Sequence, residues 1–144
     1  MTAELSDSTI TAWARLVHAS QSVIGAIEAD LKKDGYPPLD WYDVLLELER
    51  AGGELRPREI SKNTLFARYS VTRLVDRMEK AELVARTTCP DDARGAIVQI
   101  TDKGCKLRRD MWPTYAASIK RHFADRIGKD DAGALARSLG KLLD

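Results

Sequence analysis

Apolar positions recur at helical spacing through most of the chain. From Ser8 to Lys33, the residues Ile10, Trp13, Ala14, Val17, Ile24, Ile27 and Leu31 trace one stripe behind the capping residues Ser6 to Ser8, which predicts a long amphipathic helix. Gly35 and the Pro37-Pro38 pair stop it, and Asp40 is placed to cap a second helix whose Trp41, Val44, Leu45 and Leu48 line one face. Gly52-Gly53 ends that helix. Pro57 suits the first position of a short third helix carrying Ile60, with Glu59 near the positive end of its dipole. After a connection around Thr64 to Ala67, the residues Val71, Leu74, Val75 and Met78 repeat as i, i+3, i+4, i+7 and predict a fourth helix. Two β-prone runs follow, LVARTT from Leu83 and AIVQIT from Ala96, and the CPDDARG between them reads as a hairpin tip. Thr101 can then cap a helix running through Tyr115, Ile119, Phe123 and Ile127, with a kink or break expected at Pro113. A last helix after Gly128, capped near Asp130, carries Leu135, Leu139, Leu142 and Leu143.

Composition narrows the class. A chain of 144 residues, 44% apolar and 31% charged, has the size and balance of one folded domain. No apolar stretch approaches the ~20 residues that cross a bilayer, and MTAELSDSTI lacks the basic-then-apolar order of a secretory leader, so a cytoplasmic protein with no membrane partner is expected. Cys89 and Cys105 make neither a disulfide framework nor a CxxC pair. His18 and His122 stand alone, so neither a metal site nor a cofactor is expected. Nucleophile elbows, phosphate-binding glycine loops and paired-histidine motifs are missing, which argues against an enzyme.

The charge is unevenly spread. Met1 to Gly53 holds 4 Lys/Arg against 9 Asp/Glu, whereas Glu54 to Arg109 holds 13 against 8, and the remainder is almost balanced. A basic segment between acidic and neutral flanks suits phosphate binding, because counterion release scales with the phosphates met rather than with overall charge. A solvated mixed-charge surface is the alternative. The order of elements decides in favour of nucleic acid: a short helix, a turn, a helix with one basic face and then a two-stranded wing are the parts of a winged helix-turn-helix.

Two stretches carry a family resemblance, VTRLVDRMEKAELVAR from Val71 to Arg86 and DARGAIVQITDKG from Asp92 to Gly104. Through them, and across nearly its whole length, the chain resembles the MarR family of bacterial transcriptional regulators. The wing pattern of Asp, any residue, Arg, an alternating strand, then Leu-Thr and a nearby Gly is met by Asp92, Arg94, Ile100, Thr101 and Gly104, with Ile replacing Leu. Glu82 stands where the family usually has Gly before the first wing strand, and the turn between the motif helices is one residue longer than usual and lacks its Gly. The resemblance implies a mainly α fold with a small β-hairpin: a winged helix-turn-helix over approximately 39–101 and dimerisation helices over approximately 8–33 and 102–144.

Candidate DNA-binding residues follow from the pattern. Arg73 and Arg77 share the polar face of the fourth helix, where a guanidinium fork can hold phosphate or read guanine; the alternative is pairing with Asp76 or Glu79. Arg68, Ser70 and Thr72 sit in or beside the leading turn, where Ser70 and Thr72 can touch DNA or cap the helix. Arg94 at the hairpin tip suits insertion into the minor groove, with an exposed salt bridge as its alternative. The resemblance implies the same role, with Asp92 orienting the guanidinium. It also implies a small aromatic or phenolic effector, for which Trp41 and Tyr42 are candidate lining residues and Asp43 and Arg15 candidate polar partners, with core packing as the competing reading of the aromatics. Some relatives use cysteines as redox switches, which makes a redox-sensing regulator an alternative, but the aspartates after Cys89 disfavour a thiolate there. Expected partners are therefore double-stranded DNA with a pseudo-palindromic operator, a second copy of the chain through the apolar stripes of the terminal helices, and an effector. A winged helix turned to protein binding is the rival.

Overall fold

A computed structural model describes residues 4–66, 71–88 and 96–143. It is mainly helical: α1 (Asp7–Lys33), α2 (Leu39–Arg50), α3 (Pro57–Asn63), α4 (Val71–Lys80), α5 (Asp102–Ile119), a π-helical turn over Lys120–Ala124, α6 (Asp125–Ile127) and α7 (Lys129–Gly140). The strands β1 (Glu54–Leu55), β2 (Val84–Thr88) and β3 (Ala96–Ile100) form an antiparallel sheet in the order β1-β3-β2. Val84 pairs with Ile100 and Thr88 with Ala96, while Leu55 pairs with Val98 on the other side of β3. The wing therefore has a third strand, too short for its alternation to show in the sequence. Two further details differ from expectation. Pro38 occupies the cap position of α2 and Asp40 lies inside its first turn, where its charge still faces the positive end of the dipole. At Pro113 there is no break, since α5 runs through it to Ile119.

The chain divides into two compact units, one over residues 31–114 and one joining residues 1–30 to 115–144. In the second, Asp30 is a hub. Its Oδ2 accepts from Ser118 Oγ at 2.6 Å and from Arg121 Nη1 at 3.1 Å, and lies 2.9 Å from His122 Nε2. The Ser118 hydroxyl, then His122 and Arg121, hold the Asp30 carboxyl below its ordinary value against the opposing effect of burial. Elsewhere in this unit large apolar side chains face outward: Leu5, Ile10 and Trp13 toward the N-terminus, Leu142 and Leu143 toward the C-terminus.

The unit over 31–114 carries the core. Val44, Leu45 and Leu48 of α2, Ile60 of α3, Leu74, Val75 and Met78 of α4, and Val84 and Val98 of the sheet form one buried cluster. Each helix presents the stripe that its periodicity predicts. The helix ends are set by left-handed residues. At the end of α2, Gly52 has φ 89°, and the Gly53 and Gly52 amides return to Leu48 O and Glu49 O at 2.8 and 3.1 Å. The end of α4 repeats this geometry without glycine: Leu83 N meets Met78 O at 3.0 Å, Glu82 N meets Glu79 O at 2.9 Å, and Glu82 itself has φ 64°.

That corner is held from the start of α5. Thr101 Oγ1 donates to Glu82 O at 2.7 Å and accepts from Gly104 N at 3.1 Å, so one hydroxyl caps α5 and ties it to the joint between α4 and β2. Gly104 sits so close that a Cβ there would lie 2.3 Å from Leu83 O. Replacing Glu82 by Gly relieves the left-handed strain and is expected to raise stability by about 1 kcal/mol. Replacing Gly104 by Ala forces backbone apart and is expected to cost roughly 1–3 kcal/mol. Thermal unfolding of the two variants checks both, and a destabilised Glu82→Gly or a neutral Gly104→Ala contradicts the account of the corner.

Candidate nucleic-acid interface

The polar face of α4 is built by exclusion. Val71, Leu74, Val75 and Met78 are buried, which leaves Thr72, Arg73, Asp76, Arg77, Glu79 and Lys80 exposed on the other side. Both acids on this face are engaged by β2. The Arg86 guanidinium pairs with the Asp76 carboxylate and reaches Thr72 O at 3.3 Å, while the Arg86 amide donates to Glu79 Oε2 at 3.2 Å. Arg73 and Arg77 are thus not spent on Asp76 or Glu79, and neither has an ion-pair partner among the described residues. Sequence reasoning did not single out Arg86. Its available signal was the alternation along β2, which puts Arg86 on the same side as the buried Val84.

Asp43 serves the turn ahead of α4. Its carboxylate is buried in the first half of α2, and Oδ2 accepts the Phe66 amide at 2.7 Å. Burial pushes its pKa up; the Phe66 and Leu65 amides oppose this, and the charges of Glu47 and Asp40 add to it. Close by, Thr64 is buried and its Oγ1 donates to Ile60 O at 2.8 Å, closing α3. One end of the connection between α3 and α4 is therefore fixed by two buried polar side chains.

The other effector candidates point elsewhere. Trp41 is half-buried against the core and lines an open cleft with Tyr36 and Leu107. Tyr42 is buried and stacked on Trp112, with ring centroids 6.3 Å apart and planes 20° from parallel. Successive helical residues diverge by about 100°, so Trp41, Tyr42 and Asp43 reach three different environments. Arg15 is exposed on α1 in the other unit. Arg68, Ser70, Cys89, Asp92 and Arg94 lie outside the described residues.

Known proteins place this arrangement. Residues 34–95 match the family model described as MarR family. The HTH-type transcriptional regulator MhqR of Bacillus subtilis is 34% identical over 104 residues, which cover 72% of this chain and 70% of MhqR. The chain belongs to the MarR family. Among solved structures, AbsC, a MarR-family transcriptional regulator from Streptomyces coelicolor, matches with a TM-score of 0.84 at 27% identity, covering 99% of this chain and 96% of AbsC. Sco3205 of the same organism, solved in complex with DNA, has the same fold, with a TM-score of 0.88 at 23% identity over 99% of this chain and 90% of its own. This MarR-family protein is accordingly a winged helix-turn-helix transcription regulator and not an enzyme. In it, α3 and α4 are the helices of the motif and β2 and β3 the wing strands.

The buried carboxyl gives a pH-dependent test. Replacing Asp43 by Ala strands the Phe66 amide and is expected to cost about 1–3 kcal/mol. Because the folded-state pKa is raised, the contribution of Asp43 to stability is complete below its unfolded value near 3.8 and declines as pH rises through the folded value. The cost of Asp43→Ala should therefore grow on acidification from neutral pH, as measured by denaturant titrations of both proteins. A cost that shrinks would contradict the assigned direction.

Proposed function

We propose that this MarR-family protein is a homodimeric, sequence-specific DNA-binding repressor that occupies a pseudo-palindromic operator and is released by a small-molecule effector of phenolic or aromatic character. The observation that carries the DNA reading is the pairing of Asp76 with Arg86, which leaves Arg73 and Arg77 exposed on α4 with no ion-pair partner among the described residues. A pair of uncommitted guanidiniums on the exposed face of such a helix suits guanine edges and phosphate in the major groove. Thr72 lies on the same face. Arg94, with Asp92 orienting it, is assigned to the minor groove from its place in the wing motif, and Arg68 and Ser70 to the leading edge of the helix. The Sco3205 complex with DNA supports this use of the fold.

The dimer is supported by apolar surface. Ile10 and Trp13 on α1 and Leu142 and Leu143 beyond α7 are at least half exposed, apolar surface that a second copy would cover. Isologous pairing of the terminal helices would present two copies of α4 to half-sites about 10 base pairs apart. The expected sedimentation mass is therefore about twice the 16.0 kDa of one chain, and a monomer at micromolar concentration removes the dimer from the proposal.

Binding titrations at two salt concentrations test the interface. Arg73→Ala should cost roughly 1–3 kcal/mol and relax preference at one operator position if Arg73 reads guanine, or weaken all sequences alike and lower the salt slope by about one if it holds phosphate. Arg94→Ala should lose affinity mainly at A·T-rich flanks. Binding that barely changes with salt, or variants as tight as the wild type on every operator, would transfer the function to a protein partner.

A further inference from the structure

Asp43 is a buried carboxylate on a core helix that does its bonding outside that helix. It is 4% exposed on α2, yet its Oδ2 accepts the Phe66 amide at 2.7 Å from 23 positions away, and the Leu65 amide is a second donor to the same carboxylate. Thr64 closes α3, but from there to Ser70 the sequence has neither glycine nor proline, so no residue of the connection sets a turn through a left-handed or fixed backbone. The helix that follows is anchored unevenly. Leu74, Val75 and Met78 are at most 1% exposed, whereas Val71, the one apolar anchor ahead of Arg73, is 7% exposed. Arg77 lies between the deep anchors Val75 and Met78, and Arg73 lies ahead of all three. The start of α4 therefore depends on the chain that delivers it, and that chain is tethered to Asp43.

We propose that Asp43 is a positioning residue for DNA recognition: by holding the turn ahead of α4 it sets the place of Arg73 against the bases, while Arg77 is placed by core packing. In this role Asp43 serves the chain and not an effector, and the role rests on the DNA reading proposed above. Base edges are read only by side chains held within about 0.5 Å of their productive geometry, whereas phosphate contacts, being largely electrostatic, tolerate displacement. Loss of the tether is therefore felt in specific binding and through Arg73, not in the general attraction to DNA.

The test is a double-mutant cycle in DNA affinity. The probes are a duplex selected by the parent protein from random-sequence DNA and a scrambled duplex of the same composition. At a temperature where every variant is folded by circular dichroism, Asp43→Ala should bind the selected duplex about 10-fold more weakly than the parent and the scrambled duplex less than about 3-fold more weakly, with an unchanged salt slope. Asp43→Asn, which keeps an acceptor oxygen for the Phe66 amide, should bind within about 2-fold of the parent. Combined with Arg73→Ala, Asp43→Ala should add little, because the contact it misplaces is already gone; combined with Arg77→Ala, its full effect should remain. The role is overturned by an alanine variant as tight and as selective as the parent, by an asparagine variant as weak as the alanine one, or by effects that add with Arg73→Ala as they do with Arg77→Ala. Asp43→Val, which also lacks an acceptor, replaces the alanine variant should that one not fold. Failure of both to fold would overturn the role as well, since the carboxylate would then be holding the fold rather than the turn. A parent that selects no duplex would overturn this role together with the DNA reading, which separates that failure from the others.

Discussion

The four apolar side chains by which α4 is wedged into the core are the constraint on which the interface depends. A helix with this many charges has no preference of its own for the protein surface, and ten residues are too few to be stable alone in water. Burying Val71, Leu74, Val75 and Met78 supplies on the order of 1.5–3 kcal/mol each and fixes the rotation of the helix about its axis. Once that rotation is fixed, the direction of Arg73 and Arg77 follows from the helical repeat. The reading surface is thus a by-product of packing, and changes in the wedge would move the arginines without touching them.

The far end of α4 is fixed differently, by polar groups and close backbone approach. A left-handed glutamate is an expensive cap, and nothing about Glu82 itself repays it, since its carboxylate is exposed and only loosely paired with Lys103. What holds the conformation is the neighbourhood: Thr101 on its carbonyl, and Gly104 allowing α5 to approach Leu83 O. The strain is therefore carried by three elements together, α4, β2 and α5, and the corner behaves as one piece. This explains how Thr101 and Gly104 can belong to a recognisable wing motif although neither lies in the wing.

Periodicity made the helices legible, because each of α1, α2, α4, α5 and α7 is long enough for several repeats of its stripe. It failed where an element is too short to repeat or where an alternative local rule competed. Two residues, Glu54 and Leu55, cannot show alternation, and β1 exists only because β3 offers a free edge to them. Asp40 carries a good capping side chain, but the extended conformation of Pro38 begins the helix earlier. Pro113 leaves a kink or a break open in the sequence, and the break does not occur, because removal of one amide is tolerated within a helix continuous to Ile119. For the interface, Arg73 and Arg77 were visible from their spacing. Arg86 was not, because the alternation along β2 gives only its side of the strand, and its contact with Asp76 lies ten positions away.

That contact also changes how the charge should be counted. Summed over Glu54 to Arg109, the acidic residues appear to cancel more than half of the basic ones. Cancellation in a sum is not cancellation in space. Asp76 is turned to Arg86, whose charge is consumed in that pair, while Glu79 accepts the neutral Arg86 amide and is held away from the arginines without being neutralised. The field that a polyanion meets is set by the charges left over at the surface, and screening over about 10 Å makes nearby arrangement matter more than the total. A nearly neutral protein can in this way present a locally cationic helix, and the wing root that supports α4 mechanically is also what uncovers its charge.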